Sequence, residues 1–414
     1  MRSIALLYPE ILIGTFYRRL RAGAAVPAEG GLLIYTNHSG GLLDAGLPLF
    51  LTDRQIFYLA KASLFRIPIL GTIIRAVGGI PIYRQKDKVD MALNEESFRE
   101  VHTLLRGGGI LTIYPEGESR PGHVIREFRT GAARMALGAE VENDGKHPVR
   151  LQPAYLVYEE QEVPGSRVHA WVGEPIAVGP YLESFAQDDR EAVRHLTADL
   201  RARLQELSVP ADEQDWRFCV RLDRLLAAGP QDLPPRLQAL HRSWIALPES
   251  ARGEMEAEIR SISEQLESWG LEGWDIADKP LERPSALRSL AVLLFILPQG
   301  LFWLPPWLLV RGFAALGRST PEKLVTMQVI SASVFCPLWA FVLGWWMTHF
   351  LSAPLAWALP WVSLSVMVLF FRALGRPRPF RRALTGLGLQ ANAESVEELR
   401  IRIHALRARW SLRA

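Results

Sequence analysis

One histidine and one aspartate stand close together in the stretch TNHSGGLLDA, residues 36–45. If the carboxylate of Asp44 held one imidazole nitrogen of His38, the other nitrogen would be free to act as a general base. On a continuous helix the two side chains would lie about 120° apart, so their contact requires a tight loop. Gly40 and Gly41 permit such a loop. From this stretch alone another interpretation stays open, in which His38 ends a strand and Asp44 caps a helix.

Polar side chains also follow three other apolar runs, IFYLA, GGIPIY and GILTIY. Sites in open α/β sheets form at the carboxyl ends of the strands, so these side chains are expected near His38. An arginine in such a position can hold a phosphate through two N–H groups, although a solvated turn is the alternative. The candidate substrate-binding residues are Lys61, Arg84, Glu116, Gly117, Ser119 and Arg120.

The elements that would position these residues can be inferred from the alternation of segments. Between residues 31 and 180, short apolar runs alternate with stretches of helical spacing such as MALNEESFREVHTLLRGG, which stops at glycines. This alternation predicts an α/β domain with a mixed sheet flanked by helices. Residues 181–282 carry charged helical patterns without a catalytic motif, and they predict a helical arm.

The composition changes after the arm and predicts a membrane region over residues 283–372. The stretches 289–310 and 324–371 contain no Asp, Glu, Lys or Arg, and each exceeds the roughly 20 residues of a membrane helix. Prolines break the first stretch, and basic residues flank both stretches. We therefore expect a broken re-entrant segment followed by a helical hairpin that turns at LSAP, with the basic clusters on the cytoplasmic side.

The two ends of the chain add further membrane signals. The apolar start with its basic end predicts a membrane-associated helix within residues 1–30, and not a cleaved signal peptide. Residues 373–414 have the pattern of a basic amphipathic tail suited to an anionic membrane surface. Together these features predict an integral protein of the cell membrane, with membrane lipid as a partner and the catalytic domain facing the cytoplasm.

Composition and spacing argue against several other kinds of chemistry. The chain has two cysteines, Cys219 and Cys336, which are too far apart in sequence for a disulfide framework or a metal cluster. No second histidine or carboxylate stands at ligand spacing from His38, so a metal hydrolase is disfavoured. The Gly-x-Ser-x-Gly turn of many hydrolases is also missing. We expect no metal and no nucleic-acid partner.

Several segments occur in the order and spacing of one known family. NHSGGLLDA, KASLFRIPILGTIIRAVGGIPIYR, YPEGESRPG and FRTGAARMAL, followed by LQPAYLVY, resemble the glycerolipid (lysophosphatidate-type, 1-acylglycerol-3-phosphate) acyltransferases over about residues 30–180. Two features differ from the family's commonest form. His38 and Asp44 are one residue further apart, and Arg120 falls one place later after Pro-Glu-Gly. Both differences resemble the branch that contains the glycerol-3-phosphate acyltransferases.

The resemblance implies acyl transfer without a cofactor. The histidine matching His38 would deprotonate the hydroxyl of the acceptor, and the aspartate matching Asp44 would orient the imidazole. The hydroxyl would then attack the thioester of acyl-CoA or acyl-carrier protein directly. The pocket implied for the phosphate of the acceptor contains Lys61, Arg84, Glu116 and Gly117.

Three hypotheses about function follow. The first is a membrane-bound O-acyltransferase that acylates lysophosphatidate or glycerol 3-phosphate in phospholipid synthesis. The second is an enzyme of the same fold that acts on another lysophospholipid, a glycolipid or a secondary metabolite. The third is a catalytically silent, lipid-binding membrane scaffold. Phosphate dependence of the acceptor separates the first two, and a complete lack of acyl transfer would indicate the third.

Overall fold

Contacts divide the chain into two compact units in the computed structural model. The first includes Arg19–Val157 and Val168–Pro210, and the second includes Gly14–Arg18, Tyr158–Arg167 and Ala211–Ala414. The structure describes residues 14, 17–67, 70–83, 93–120, 122–143, 147–161, 166–227, 232–276, 290, 294, 298–317, 321–374 and 393–411.

A single mixed sheet contains all the strands in the described part of the chain. The strands are β1 (Tyr17–Gly23), β2 (Leu32–Thr36), β3 (Ile56–Lys61), β4 (Gly79–Ile82), β5 (Ile110–Ile113), β6 (Arg150–Tyr158), β7 (Ser166–Val172) and β8 (Ile176–Ala177). Their order is β1-β7-β6-β2-β5-β3-β4, and β8 pairs antiparallel with β6. The sheet confirms the predicted α/β class.

Strand β2 lies in the middle of the sheet and is buried over its whole length. It pairs parallel with β5 on one side and with β6 on the other, so that Leu33 stands opposite both Leu111 and Leu151. Burial on both faces explains why this strand is a continuous apolar run. Because the three strands are parallel, their carboxyl ends meet at one edge of the sheet, and the loops that follow β2 and β5 are brought together there.

The first unit also contains the helices that flank the sheet. Short 3₁₀ helices occupy Gly41–Gly46, Pro48–Phe50, Ala62–Arg66 and Gly179–Tyr181. The α-helices are α1 (Leu70–Ala76), α2 (Leu93–Arg106), α3 (Gly131–Val141), α4 (Leu182–Gln187) and α5 (Asp189–Leu207).

Helix α5 corrects the predicted domain boundary at residue 181. The sequence assigned this helix to the arm, yet it packs on α3 and belongs to the first unit. Its buried face consists of residues three or four positions apart, including Leu196, Leu200 and Leu204. An amphipathic pattern of this kind shows that a helix packs on something, but it does not identify the partner.

Strand β1 corrects part of the predicted N-terminal helix. Residues 17–23 form an extended strand next to β7, and they are not helical. Tyr17 is buried, its hydroxyl donates a hydrogen bond to the carbonyl oxygen of Gln161 at 2.6 Å, and its ring meets the edge of Tyr158. The sheet supplies backbone partners that the sequence pattern could not reveal. Residues 1–13 and 15–16 lie outside the described residues.

The second unit is helical in its remaining part. A buried ion-pair network in this unit joins Arg167 to Glu159 and Glu272, and Arg224 to Glu159 and Glu160. The helices are α6 (Glu213–Leu226), α7 (Leu233–Ile245), α8 (Glu249–Trp269), α9 (Gly273–Ile276), α10 (Leu304–Gly317), α11 (Pro321–Met347), α12 (Ala353–Leu374) and α13 (Ala393–Ser411).

Helices α10, α11 and α12 fall in the stretch that the sequence assigned to the membrane. Pro305 and Pro306 lie in the first turn of α10, where no intrahelical N–H is needed. Helix α11 ends at Met347 and α12 begins at Ala353, so the chain turns where the LSAP stretch predicted. Among the described residues, no helix is both long enough and apolar enough to cross a membrane. Residues 277–289 and 375–392 lie outside that part of the chain.

Helix α13 corrects the assignment of the C-terminal tail to a membrane surface. Its apolar face is buried against α6, α8 and α9 in the second unit, so it is not available to lipid. Several of its arginines bind protein atoms: Arg400 Nε donates to the carbonyl oxygen of Ile276 at 2.8 Å, and Arg407 Nε donates to that of Leu225 at 3.2 Å. The buried residues of this helix are Val396, Leu399, Ile403, Leu406 and Trp410.

Candidate active site

The residue before the histidine fixes the end of β2. Asn37 is buried, and its side-chain amide donates a hydrogen bond to the carbonyl oxygen of Leu156 at 3.0 Å. The side-chain oxygen of Asn37 accepts a hydrogen bond from the backbone N–H of Leu156 at 2.8 Å. Two bonds to β6 therefore anchor the backbone where the strand gives way to the loop that carries His38.

His38 and Asp44 meet as the sequence suggested. Nδ1 of His38 lies 2.8 Å from Oδ2 of Asp44, and that carboxylate is completely buried. The Gly40 N–H donates to the same oxygen at 2.8 Å, and Gly41 has a φ of +63°, which favours glycine. Asp44 lies within the 3₁₀ helix Gly41–Gly46, whose tight turn folds the aspartate back to the histidine.

This contact defines the state of the imidazole. An ionised carboxylate can only accept hydrogen bonds. In this pair Nδ1 therefore carries the proton and donates a hydrogen bond to Asp44. Nε2 then keeps its lone pair. The histidine side chain retains 17% of its exposure, whereas the aspartate has none. The arrangement is suited to taking a proton from a hydroxyl group that approaches Nε2.

An aromatic ring covers one face of the histidine. Tyr114 follows β5, and its ring stacks on the imidazole of His38 with centroids 4.2 Å apart and planes inclined by 23°. Burial, followed by the charge of Asp44, raises the pKa of the Tyr114 hydroxyl far above its usual value. Within the described residues this buried hydroxyl has no hydrogen-bond partner. The ring is therefore the part of Tyr114 that acts on His38.

A second carboxylate lies in the same site. The side chain of Glu116 is 5% exposed, and its Oε2 lies 3.7 Å from Nη1 of Arg126. Burial raises the pKa of Glu116, while the charges of Arg126 and His38 oppose this shift and that of Asp44 adds to it. Glu116 thus shares the electrostatic field of the histidine–aspartate pair.

The turn after Glu116 requires glycine for two reasons. Gly117 has a φ of +76°, and a Cβ at this position would lie 2.5 Å from Nε of Arg129. The backbone N–H of Arg129 donates to the carbonyl oxygen of Pro115 at 2.8 Å, which holds this arginine against the turn. The exposed Arg129 side chain is therefore a cation at the Pro-Glu-Gly turn.

Arg120 contacts the loop of His38 through its backbone and not through its guanidinium, and Ser119 has a buried hydroxyl. The backbone N–H of Arg120 donates to the carbonyl oxygen of His38 at 3.0 Å, which ties the two loops together. Its guanidinium, however, is 62% exposed and pairs with Glu118 at 3.2 Å. The Ser119 hydroxyl oxygen is buried and, among the described residues, has no hydrogen-bond partner.

Of the two remaining predicted contacts, only Lys61 lies within the described residues, and it is on the other side of β5. Lys61 is the last residue of β3, which is separated from β2 by β5 in the sheet. Arg84 follows β4 and lies outside the described residues. The structure thus brings His38, Asp44, Glu116 and Gly117 together, and it adds residues that sequence reasoning did not select. These additional residues are Asn37, Tyr114, Arg126 and Arg129.

Comparisons with known proteins match the part of the chain that contains this site. Residues 19–156 match the family model described as Acyltransferase, and this range contains the site residues named above. Residues 19–156 therefore carry an Acyltransferase family-model domain, and the resemblance seen in the sequence is confirmed over that range.

Two individual relatives are similar to part of the chain. The chain is 31% identical over 188 residues to glycerol-3-phosphate O-acyltransferase 2 of Saccharomyces cerevisiae, a match that covers 44% of this chain and 25% of the yeast protein. It is 26% identical over 206 residues to 1-acyl-sn-glycerol-3-phosphate acyltransferase of Bacillus subtilis, covering 47% of this chain and 92% of that one. The chain thus spans only a quarter of the length of its yeast relative.

A solved structure also resembles part of the chain. It is the 1-acyl-sn-glycerophosphate acyltransferase of Thermotoga maritima, with 20% identity and a TM-score of 0.35. The match covers 49% of this chain and 79% of the Thermotoga chain.

Proposed function

We propose that this protein transfers a fatty acyl group from an acyl thioester to the hydroxyl of a glycerol acceptor that bears a phosphate. The observation that carries the proposal is the contact between His38 Nδ1 and the buried carboxylate of Asp44 at 2.8 Å, at the carboxyl end of the central strand. That contact leaves Nε2 as a base. The names of the yeast and Bacillus relatives support acylation of glycerol 3-phosphate or 1-acylglycerol 3-phosphate.

The proposed reaction has two proton transfers. Nε2 of His38 takes the proton of the acceptor hydroxyl while the oxygen attacks the carbonyl carbon of the thioester. The C–S bond then breaks, an ester is formed, and the departing thiolate receives the proton from the imidazolium. Asp44 stays ionised and stabilises the imidazolium in between. Acyl-CoA or acyl-carrier protein supplies the thioester, and the chain's own residues need no cofactor for these steps.

The phosphate of the acceptor needs cationic partners near the base. Arg129 is held at the Pro-Glu-Gly turn. Its side chain occupies the space that a Cβ on residue 117 would fill, and Gly117 has none. Arg126 lies at Glu116, so part of its charge is already balanced there. We therefore assign phosphate binding chiefly to Arg129, with Lys61 and Arg84 as further contacts and Ser119 as a hydroxyl donor. Arg120 contributes through its backbone, which supports His38.

We also propose that the protein is bound to the membrane, with the catalytic domain facing the cytoplasm. The acyl chain of the product partitions into lipid, so an enzyme at the membrane surface releases its product where it accumulates. Large exposed apolar side chains on α10, α11 and α12 support this attachment.

The experiment that tests the proposed reaction compares acceptors side by side. Purified protein is incubated with labelled acyl-CoA and either glycerol 3-phosphate, lysophosphatidate or lysophosphatidylcholine. We expect transfer to at least one of the first two, and a large excess of inorganic phosphate should raise its KM. Transfer to lysophosphatidylcholine alone would redirect the proposal to another acceptor. Acyl-carrier protein is tested as donor in parallel, and no transfer with either donor would contradict acyl transfer.

A further inference from the structure

Several polar side chains in the apolar part of the second unit form hydrogen bonds between helices. Trp303 Nε1 donates a hydrogen bond to Ser363 Oγ at 3.1 Å, and Ser363 Oγ donates to Gln299 Oε1 at 2.8 Å. Trp339 Nε1 donates to the carbonyl oxygen of Phe302 at 3.0 Å. Polar side chains that satisfy one another between helices are what a hydrocarbon environment requires.

The outer surface of the same helices is apolar. Helices α10, α11 and α12 pack on one another, yet each keeps large apolar side chains exposed to its surroundings. Large exposed apolar side chains on three packed helices indicate an interaction site. The exposed residues include Leu308 and Phe313 on α10, Phe341 and Trp345 on α11, and Leu355 and Trp361 on α12.

The chain leaves this apolar segment at the place from which it entered. It enters after Ile276, the last residue of α9, and returns at Ala393, the first residue of α13. Arg400 Nε on α13 donates to the carbonyl oxygen of Ile276, and the buried Leu399 and Ile403 pack α13 into the same helical unit. The two ends of the segment are thus fastened to each other.

We infer that α10–α12 are immersed in the hydrocarbon of a lipid membrane, and that α13 is a clasp which returns the chain to the face from which it entered. The inference rests on the membrane attachment included in the proposed function. It goes further by fixing the topology, because a chain whose two ends are joined on one helical unit cannot cross the membrane an odd number of times. Lipid is favoured over a protein partner because the polar groups described above already bond to protein atoms between the helices.

Cysteine labelling in sealed vesicles tests the topology. In a background with Cys219→Ala and Cys336→Ala, single cysteines are placed by Ser250→Cys on α8 and Ala405→Cys on α13, both at exposed positions. The protein is reconstituted into vesicles of phosphatidylcholine and phosphatidylglycerol and treated with a membrane-impermeant maleimide. We expect the cysteines at positions 250 and 405 to be labelled from the same side of the membrane. Both should react when that side faces outward, and both should be protected when it faces the vesicle interior. Labelling of the two positions from opposite faces would overturn the inference.

Tryptophan quenching tests the immersion itself. Trp345 and Trp346 are exposed on α11, so phospholipids brominated on the acyl chain should quench part of the intrinsic fluorescence. The double variant Trp345→Phe and Trp346→Phe should lose a measurable share of this quenching. If a second copy of the chain covered these helices instead of lipid, brominated lipid would quench the wild type and the double variant equally.

A matched pair of variants tests the clasp. Ile403 is fully buried on α13, whereas Ile401 is 62% exposed on the same helix. We expect Ile403→Glu to release α13 and to increase its cleavage by trypsin at least severalfold, and Ile401→Glu to leave cleavage unchanged. Equal cleavage of the two variants would contradict the clasp. Acyl transfer is also measured on the labelled samples, so that failure of the topology can be told from failure of the proposed function. Active protein whose two cysteines are labelled from opposite faces would refute the topology and leave the proposed function intact.

Discussion

Among the described residues of the first unit, His38 and His102 each form a short bond to a carboxylate, but the surroundings of the two pairs differ. Nδ1 of His38 lies 2.8 Å from Asp44, and Nδ1 of His102 on α2 lies 2.9 Å from Glu142. Asp44 is completely buried, whereas the Glu142 side chain is 45% exposed. The two imidazoles are therefore held equally closely by partners in very different surroundings.

The second nitrogen of each ring shows why only one pair suits catalysis. Nε2 of His102 is buried and, in the described part of the chain, has no hydrogen-bond partner. It lies directly on α3, since a Cβ on Gly138 would come within 2.6 Å of it. His38 instead follows a parallel strand at the edge where sites form, beside the Pro-Glu-Gly turn. A short histidine–carboxylate bond is thus insufficient evidence for a base.

The largest expected effect separates the two histidines directly. We expect His38→Ala to lower kcat by about 10³-fold, the usual contribution of a general base, while His102→Ala leaves kcat unchanged. The measurement is acyl transfer to the best acceptor of the panel, with circular dichroism to verify folding. Full activity in the folded His38→Ala protein would refute the proposed mechanism.

The carboxylates come next. Asp44→Asn should lower kcat by about 10²-fold, because an amide no longer fixes the tautomer of His38 or stabilises its charged form. Glu142→Gln is the matched control and should leave kcat unaltered, since its histidine faces no substrate. Steady-state kinetics with both variants tests this, and an equal loss in both would indicate a structural effect.

The aromatic neighbours offer a smaller contrast. Tyr114 stacks on His38 at 4.2 Å, whereas Phe98 meets His102 edge-on at 6.3 Å. We expect Tyr114→Leu to lower kcat about tenfold, since the ring both positions the imidazole and favours its charged form, and Phe98→Leu to leave kcat unaltered.

Tyr114→Phe distinguishes the ring from the hydroxyl. It should keep kcat and raise the free energy of unfolding by about 1 kcal/mol, because it removes a buried hydroxyl without a partner among the described residues. Urea unfolding measures this gain. A loss of kcat in the phenylalanine variant would show that the hydroxyl itself takes part in the reaction.

A third histidine should affect stability alone. His123 is buried, and burial lowers the pKa of its imidazole to about 3. The unfolded chain binds a proton there below about pH 6.5 and the folded chain does not, so stability falls by up to about 1.4 kcal/mol per pH unit on acidification. His123→Gln should lose less stability between pH 7 and pH 5 in urea unfolding and should keep kcat at pH 7. An unchanged pH dependence would contradict the burial effect.

The sequence allowed much of the site to be predicted because parallel strands align the loops that follow them. This rule brought His38 and the Pro-Glu-Gly turn together correctly. It did not show which atoms of a loop face the site. The side chain of Arg120 is exposed and pairs with Glu118, whereas its backbone N–H supports His38. The stacking of Tyr114 left no pattern in the sequence at all.

Amphipathic helices were harder to assign for a different reason. An apolar stripe with basic neighbours has the same pattern whether it is buried by lipid or by protein. Helix α13 was therefore assigned to a membrane surface, although Ile403 and Leu406 are buried in the helical unit. The charged helical pattern of α5, which carries no catalytic motif, likewise predicted part of the arm and did not identify α3 as its partner. Only tertiary contacts distinguish these alternatives.

The position of α13 in the chain has a consequence for biosynthesis. Its residues are made after all the apolar helices, so the ribosome must complete residue 410 before Trp410 can fill its buried place. Until then, the carbonyl groups of Leu225 and Ile276 lack the arginines that bind them in the finished protein. A nascent or truncated chain would therefore display an unfinished apolar groove, which makes it a substrate for chaperones and proteases before the enzyme is complete.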